Sequence, residues 1–173
     1  MNYAVICEND RIRIRSFLPS DAPLIFAYSQ EASNRLELPD EVFDSLEETQ
    51  ENLAHLNRLA SAGVYPIVFC VADANSDLPL GHVSLSRIRE NDIEIGYAIG
   101  ENHRGKGYGR MATALFTHWA LTEGGLSALY GVVKESNPAS IKCLETAGFT
   151  LIKREERDCF GGRYTIREYR KNK

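Results

Sequence analysis

The sequence has no C-x-x-C pair: Cys7, Cys70, Cys143 and Cys159 stand far apart, and His55, His82, His103 and His118 do not gather near them. That spacing argues against a structural zinc site, and no metal is expected. Long apolar runs are missing as well. No segment has the ~20 apolar residues that span a bilayer, and the N-terminus lacks the apolar stretch of a signal peptide. Basic residues are in the minority, 20 Lys and Arg against 24 Asp and Glu, for a net charge of −4. Such a chain presents no general positive field to nucleic acid. Repeats, linkers and low-complexity tracts do not occur. What is there is an ordinary globular composition, 43% hydrophobic and 25% charged over 173 residues. That length suits one domain, 1–173, with a single core. Unpaired cysteines fit a reducing compartment, so a cytoplasmic protein is expected.

Hydrophobic periodicity divides the chain. Arg11–Arg15 alternates strictly and predicts a first strand, with Ile12 and Ile14 inward and the arginines on a solvated face. Ser20 has the character of an N-cap, ahead of Asp21, Pro23 and the run Leu24–Tyr28. A loop is expected over 34–44. Ser45-Leu46-Glu47-Glu48 has the form of a capping box, and the helix behind it sets Leu46, Leu53, Leu56 and Ala60 on one stripe before ending near Gly63. From Tyr65 the period becomes two. Tyr65–Asp73, Leu80–Arg89 and Ile93–Gly100, joined by short turns, predict an antiparallel meander. A helix follows over Arg110–Glu123, and Gly124-Gly125 breaks the chain. Leu129–Val133 reads as a short strand, and Asn137-Pro138 opens a helix that Ala147-Gly148 closes. Phe149–Arg157 and Arg163–Arg170 form a last hairpin around Gly161-Gly162.

Between the strand at Ile93–Gly100 and the helix at Arg110–Glu123 lies Arg104-Gly105-Lys106-Gly107-Tyr108-Gly109. Glycines at alternate positions leave the backbone open to close approach. The helix start adds unpaired N–H groups and a positive dipole end. Strand, loop and helix together make an anion site, most simply for a phosphate or pyrophosphate. A nucleoside-triphosphatase loop does not fit, because Lys106 is followed by Gly107 and no Ser or Thr is placed to hold magnesium. A dinucleotide loop does not fit either, since the third glycine is wrongly spaced. The pattern [RQ]-x-x-G-x-[GA] does fit, through Arg104, Gly107 and Gly109. It resembles the pyrophosphate loop of the GNAT superfamily of N-acetyltransferases.

Three further stretches carry the same resemblance in the same order: Leu-Gly-His-Val-Ser-Leu at 80–85, Ile-Gly-Tyr-Ala-Ile at 95–99, and Asn-Pro-Ala-Ser-Ile-Lys-Cys-Leu-Glu-Thr-Ala-Gly-Phe at 137–149. They are similar to the RimJ/RimL-like branch, which acetylates N-terminal amines of ribosomal proteins. The resemblance covers essentially the whole chain. It implies the α/β (α+β) GNAT fold: a mixed, mostly antiparallel central sheet of about seven strands with helices on both faces. It also implies that the strands at Ile93–Gly100 and Leu129–Val133 splay apart. The implied donor is acetyl-CoA, with CoA as product and no covalent enzyme intermediate. The acceptor is a primary amine, on a small molecule or a peptide, with a ribosomal-protein N-terminus among the candidates. Monomer and homodimer are both open.

The resemblance also assigns roles. Backbone N–H groups of Arg104, Gly105, Lys106, Gly107, Tyr108, Gly109 and Arg110 hold the pyrophosphate, and Lys106 and Arg110 add charge. The pantetheine arm pairs with backbone in the splay like an added strand, and an N–H near Ala98 or Ile99 serves the oxyanion. Asn137 matches the asparagine that bonds the pantetheine; it is also a favoured N-cap, and both readings stand. Many relatives carry a Tyr seven residues later to protonate the leaving thiolate, where this chain has Leu144. Ser140 matches the hydroxyl used instead in the ribosomal-protein branch, although a first-turn helix Ser is the plain alternative. A Ser is a weak acid and acts through a hydrogen bond or a water.

Glu94 is the candidate base, because a carboxylate on a central strand must be paired, wetted by a cleft or shifted in pKa. The plain alternative is an exposed, salt-bridged Glu. His82 on the neighbouring strand is a second candidate. The segment 37–51 carries Glu37, Asp40, Glu41, Asp44, Glu47, Glu48 and Glu51 with no Lys or Arg. It reads as a solvated face, or as an attractor for a cationic amine. Tyr97, Tyr108, Phe160 and Tyr164 are candidates for lining the acceptor site. Two other functions compete: a non-catalytic acyl-CoA-binding module, suggested by Leu144, and a protein-interaction domain with an empty loop.

Overall fold

A computed structural model describes residues 4–37, 41–159 and 161–173. Its elements in chain order are β1 (Val5–Glu8), β2 (Ile12–Arg15), α1 (Ala22–Ser29), α2 (Ala32–Glu37), α3 (Leu46–Ala62), β3 (Ile67–Asp73), β4 (Pro79–Arg87), β5 (Ile93–Ile99), α4 (Tyr108–Thr122), β6 (Ala128–Lys134), α5 (Pro138–Thr146), β7 (Thr150–Cys159) and β8 (Gly162–Asn172). Among the described residues the strands form one 8-stranded sheet, ordered β1-β2-β3-β4-β5-β6-β8-β7. The strand beyond the expected number is β1, too short for a periodic signal and held by antiparallel pairing with β2. The short helix α2 also falls partly within the segment expected to be loop.

Alternation along each strand sorts side chains between two layers. On β3, Phe69 and Val71 join the core beneath α4, while Cys70 and Ala72 join Phe17, Ala22 and Leu53 beneath α1 and α3. Phe116 and Ala120 of α4 are fully buried, and Phe116 stacks on Trp119 with centroids 5.4 Å apart. Each large apolar side chain buried this way is worth about 1.5–3 kcal/mol. Ser45 accepts the Glu48 N–H at 3.1 Å, and Gly63 ends α3 at φ 66°. The reciprocal bond slips by one residue, because Glu48 accepts from the Asp44 N–H rather than from Ser45. Leu46 is left exposed, so the buried stripe of α3 starts later than its pattern suggests.

Two expectations for the N-terminal region are corrected. Ser20 does not cap a helix. It lies in a 3-10 turn, Pro19–Asp21, and α1 begins at Ala22. The β2 arginines are not all on a solvated face, since Arg15 is fully buried. Its guanidinium forks onto Asp21 at 2.6 and 3.0 Å and reaches Asp77 at 3.1 Å. Alternation identifies the two faces of a strand but not what covers them. Here the 3-10 turn and the turn between β3 and β4 bring Asp21 and Asp77 onto that face, and a buried cation persists only beside a matched carboxylate.

Every neighbouring pair of strands is antiparallel except β5 and β6. β4 and β5 stay in register from Gly81↔Ile99 to Arg87↔Ile93, whereas β5 and β6 pair only at Glu94↔Tyr130. Beyond that pair they diverge, as the splay requires. Among the described residues no helix is long and apolar enough to cross a membrane.

Candidate active site

The glycine loop sits at the mouth of the gap between β5 and β6. Gly105 and Gly107 take left-handed φ values of 73° and 85°, and Gly107 is the N-cap of α4. Gly109 lets the helix start close onto the strand, because a Cβ there would lie 3.0 Å from the Tyr97 ring. Among the described residues the N–H groups from Gly105 to Arg110 have no hydrogen-bond acceptor. The Arg104 N–H is bonded to Glu101 O at 3.2 Å, and the helix ladder starts with Met111 N–H on Gly107 O at 3.1 Å. The open amides therefore begin at Gly105 rather than Arg104. Arg104 contributes its side chain, with Nε donating to Ile99 O at 2.7 Å. Lys106 turns back, its Nζ donating to Asn102 O at 3.0 Å, whereas Arg110 faces the gap.

A cavity of about 580 Å³ follows the gap from this loop to the root at Glu94. Gly100 N–H bonds to Leu80 O at 3.0 Å, so alternation turns Ala98 toward β4 and the Ile99 amide toward the cavity. Asn137 lines the cavity, and its Oδ1 also caps α5 by accepting the Ser140 N–H at 3.0 Å. Ser140 Oγ accepts from the Tyr97 hydroxyl at 3.1 Å. Burial pushes the Tyr97 phenol up, so it remains a neutral donor. Leu144 is a core residue seated on Gly131, where an added Cβ would lie 2.6 Å from its Cδ2.

Glu94 is not an exposed ion-paired residue. Its Oε1 accepts the Val132 N–H at 3.1 Å across the root of the splay. Burial pushes its carboxyl up to about 7; the Val132 bond opposes the rise and the nearby Glu168 adds to it. A carboxyl poised there can exchange protons near neutral pH.

A second cavity, about 320 Å³, lies on the α1 and α3 side of the sheet. Asn34, Ala98 and Ile99 line both cavities, so the two meet at the C-terminal end of β5. His82 stands opposite Ala98 in the β4–β5 register and lines the second cavity. Its Nε2 lies 3.3 Å from Glu41 Oε2. Of the acidic segment, Glu41 reaches this cavity, while Asp44, Glu47, Glu48 and Glu51 are exposed. Tyr97 and Tyr108 line the first cavity rather than the second, and Tyr164 lines neither, its ring packing under Lys134 Nζ at 4.7 Å. Asp40, Phe160 and the side chain of Glu37 lie outside the described residues.

A family profile described as "Acetyltransferase (GNAT) domain" matches residues 11–150. The chain belongs to the GNAT acetyltransferase family. It is 28% identical over 158 residues to the uncharacterized N-acetyltransferase YjdG of Bacillus subtilis (strain 168), covering 85% of this chain and 90% of that one. Among solved structures it is similar to RimL, a ribosomal L7/L12 α-N-protein acetyltransferase in complex with coenzyme A, with a TM-score of 0.79 at 21% identity over 98% of both chains. It is also similar to the microcin C7 self-immunity acetyltransferase MccE in complex with acetyl-CoA and AMP, with a TM-score of 0.78 at 17% identity over 95% of this chain and 93% of that one.

Sequence reasoning about this acetyltransferase missed two pairings, Tyr97 with Ser140 and Glu41 with His82. Tyr97 had a usable signal. It shares the period-two face of Ile95 and Ile99, which packs toward α4. The contact between Glu41 and His82 had none, because it joins a loop to a strand 41 positions away.

Proposed function

We propose that the chain, acting as one domain over 1–173, transfers the acetyl group of acetyl-CoA to a primary amine in a ternary complex. The carrying observation is the row of open amides from Gly105 to Arg110 beside strands that part along one cavity. Those amides and the dipole of α4 suit a pyrophosphate. Arg104, Lys106 and Arg110 add positive charge around the loop, and Tyr108 stands at its helix end. The pantetheine arm enters the gap as an added strand beside Ala98, Ile99 and Asn137, and the Ile99 amide faces the thioester oxygen. Ser140, backed by Tyr97, hydrogen-bonds the departing thiolate. Glu94, titrating near neutrality, takes a proton from the attacking nitrogen through water.

The acceptor is a small-molecule amine or a peptide N-terminus. The likeness to RimL keeps a ribosomal-protein N-terminus among the candidates. Free cysteines suit a cytoplasmic setting. The test is thermal unfolding with acetyl-CoA, followed by thiol release against a panel of amines. A ligand at a hundredfold excess over its Kd stabilises the native state by about 2.7 kcal/mol. An unmoved melting temperature at millimolar acetyl-CoA defeats the reading. Binding without turnover on any amine leaves only a binding module.

A further inference from the structure

We infer that the 320 Å³ cavity is the acceptor subsite, that it takes a compact primary amine on an apolar body without a carboxylate, and that His82 held by Glu41 removes the first proton from the incoming ammonium. This rests on the acetyl-transfer reading above. Its position follows from the register. His82 faces Ala98 directly across β4 and β5, so its ring stands one strand spacing, about 4.8 Å, from the end of β5 where the two cavities meet. Glu94 lies on the same strand face but two rows further along, opposite Ser86. That separates it from Ala98 by about 13 Å of extended chain. The amine therefore meets His82 before any group on the cofactor side.

The lining sets the substrate class. Phe17, Ile25, Phe43, Leu56 and Val68 supply apolar wall. Among the described residues no Lys or Arg lines this cavity, and Glu41 is its one carboxylate. A cation is favoured there, whereas a substrate carboxylate finds no counter-charge. The volume is at the small end of ligand pockets, which run about 300–1,000 Å³. A small arylalkyl or alkyl amine fits that description better than an extended peptide terminus.

Two protons must leave the nitrogen. With Nε2–H directed at Glu41, the lone pair of His82 is on Nδ1. Nδ1 takes the first proton and leaves a neutral amine. The nitrogen pair then forms the C–N bond. The C–S bond breaks with its electron pair going to sulfur. The second nitrogen proton leaves toward Glu94, and one proton reaches sulfur through Ser140 to give the CoA thiol. His82 returns its proton to solvent, so one proton is released per turnover. Among the described residues the titratable groups lining the cavity are Tyr28, Glu41 and His82, and Cys70 stands across the strands from His82. Burial keeps the Cys70 thiol neutral.

The test is steady-state acetylation by the intact protein, with 2-phenylethylamine and a Ser-initiated tetrapeptide amide as acceptors. The expected result is a kcat/KM at least tenfold higher for the amine. His82→Gln should lower kcat by about a hundredfold, within the range of general-base losses, and leave acetyl-CoA affinity by calorimetry unchanged. Glu41 is a positioning residue. Glu41→Gln should lower kcat about tenfold with the KM for 2-phenylethylamine unchanged, and Glu41→Asp should restore most of that loss, because a carboxylate is what orients the ring. Preference for the peptide, no turnover of 2-phenylethylamine, or an unchanged kcat in the folded Glu41→Gln protein overturns this inference. Failure to bind acetyl-CoA overturns the acetyl-transfer reading instead, so the two failures are distinguishable.

Discussion

Along one edge β5 is registered with β4 for its whole length, and along the other it meets β6 at the single pair Glu94↔Tyr130. The two seams share a strand and differ in what braces them. At the closed seam Gly81 lies so near β5 that a Cβ would stand 2.0 Å from Ala98 O. At the open seam the described residues pair only at Glu94↔Tyr130, and helices pack against both strands. α4 closes on β5 through Gly109 and Tyr97, while α5 seats Leu144 on Gly131 of β6. Unsatisfied buried backbone groups cost about 1–3 kcal/mol each. An opening at the centre of a sheet is thus a feature the surrounding packing has to sustain.

The largest expected effect comes from wedging the closed seam. Gly81→Val should destabilise the fold by about 3 kcal/mol or more in urea denaturation, since the clash is with backbone. Gly105→Ala, in open space at φ 73°, should cost only about 1 kcal/mol of backbone strain. Equal losses at the two sites would erase the contrast between the seams.

Next is the mouth of the open seam. Gly107→Val forces a branched residue to φ 85° and puts methyls at the loop proposed to take the pyrophosphate. Acetyl-CoA affinity by calorimetry should fall about a hundredfold, equivalent to about 2.7 kcal/mol. Unchanged affinity in a folded variant removes the loop from the cofactor site.

The root of the open seam sets a pH dependence. The Glu94 carboxyl, raised from 4.5 to about 7, is protonated more readily in the folded state than in the unfolded chain. Folding therefore binds a proton in that window, and wild-type stability should decline as pH rises from 4.5 through 7. Glu94→Gln keeps an acceptor for the Val132 N–H without the buried charge. It should be more stable than wild type by about 2 kcal/mol at pH 9, with the gain vanishing near pH 4. A gain independent of pH contradicts the burial of this carboxylate.

The smallest effect is expected at the wall of the open seam. Ser140→Ala should lower kcat about tenfold, or 1.4 kcal/mol, with acetyl-CoA binding retained. Loss of binding with kcat preserved would make Ser140 a cofactor contact alone.

Much of this was legible in the chain. The meander, the strand at Ile93, the glycine loop and the helix behind it follow from period, propensity and glycine placement, all local signals. Asn137 was readable as an N-cap because a cap is a contact over three residues. What failed was coverage and range. Arg15 looked like a surface residue because alternation says nothing of the turns that carry Asp21 and Asp77 onto it. Glu94 was a candidate base with an exposed ion pair as the alternative, and the sequence left the two open because its partner, the Val132 amide, lies 38 positions on. The pairing of Glu41 with His82 was hidden for the same reason.

The sequence by itself determined most of the order of the elements, the glycine-rich loop and the family, because each is written in spacings of a few residues. Only the tertiary structure decided that Glu94 meets the Val132 amide, that His82 meets Glu41, and that two cavities meet at Ala98 and Ile99. Those facts depend on side chains brought together from distant strands and loops, and burial and charge pairing are set by such neighbours rather than by local pattern.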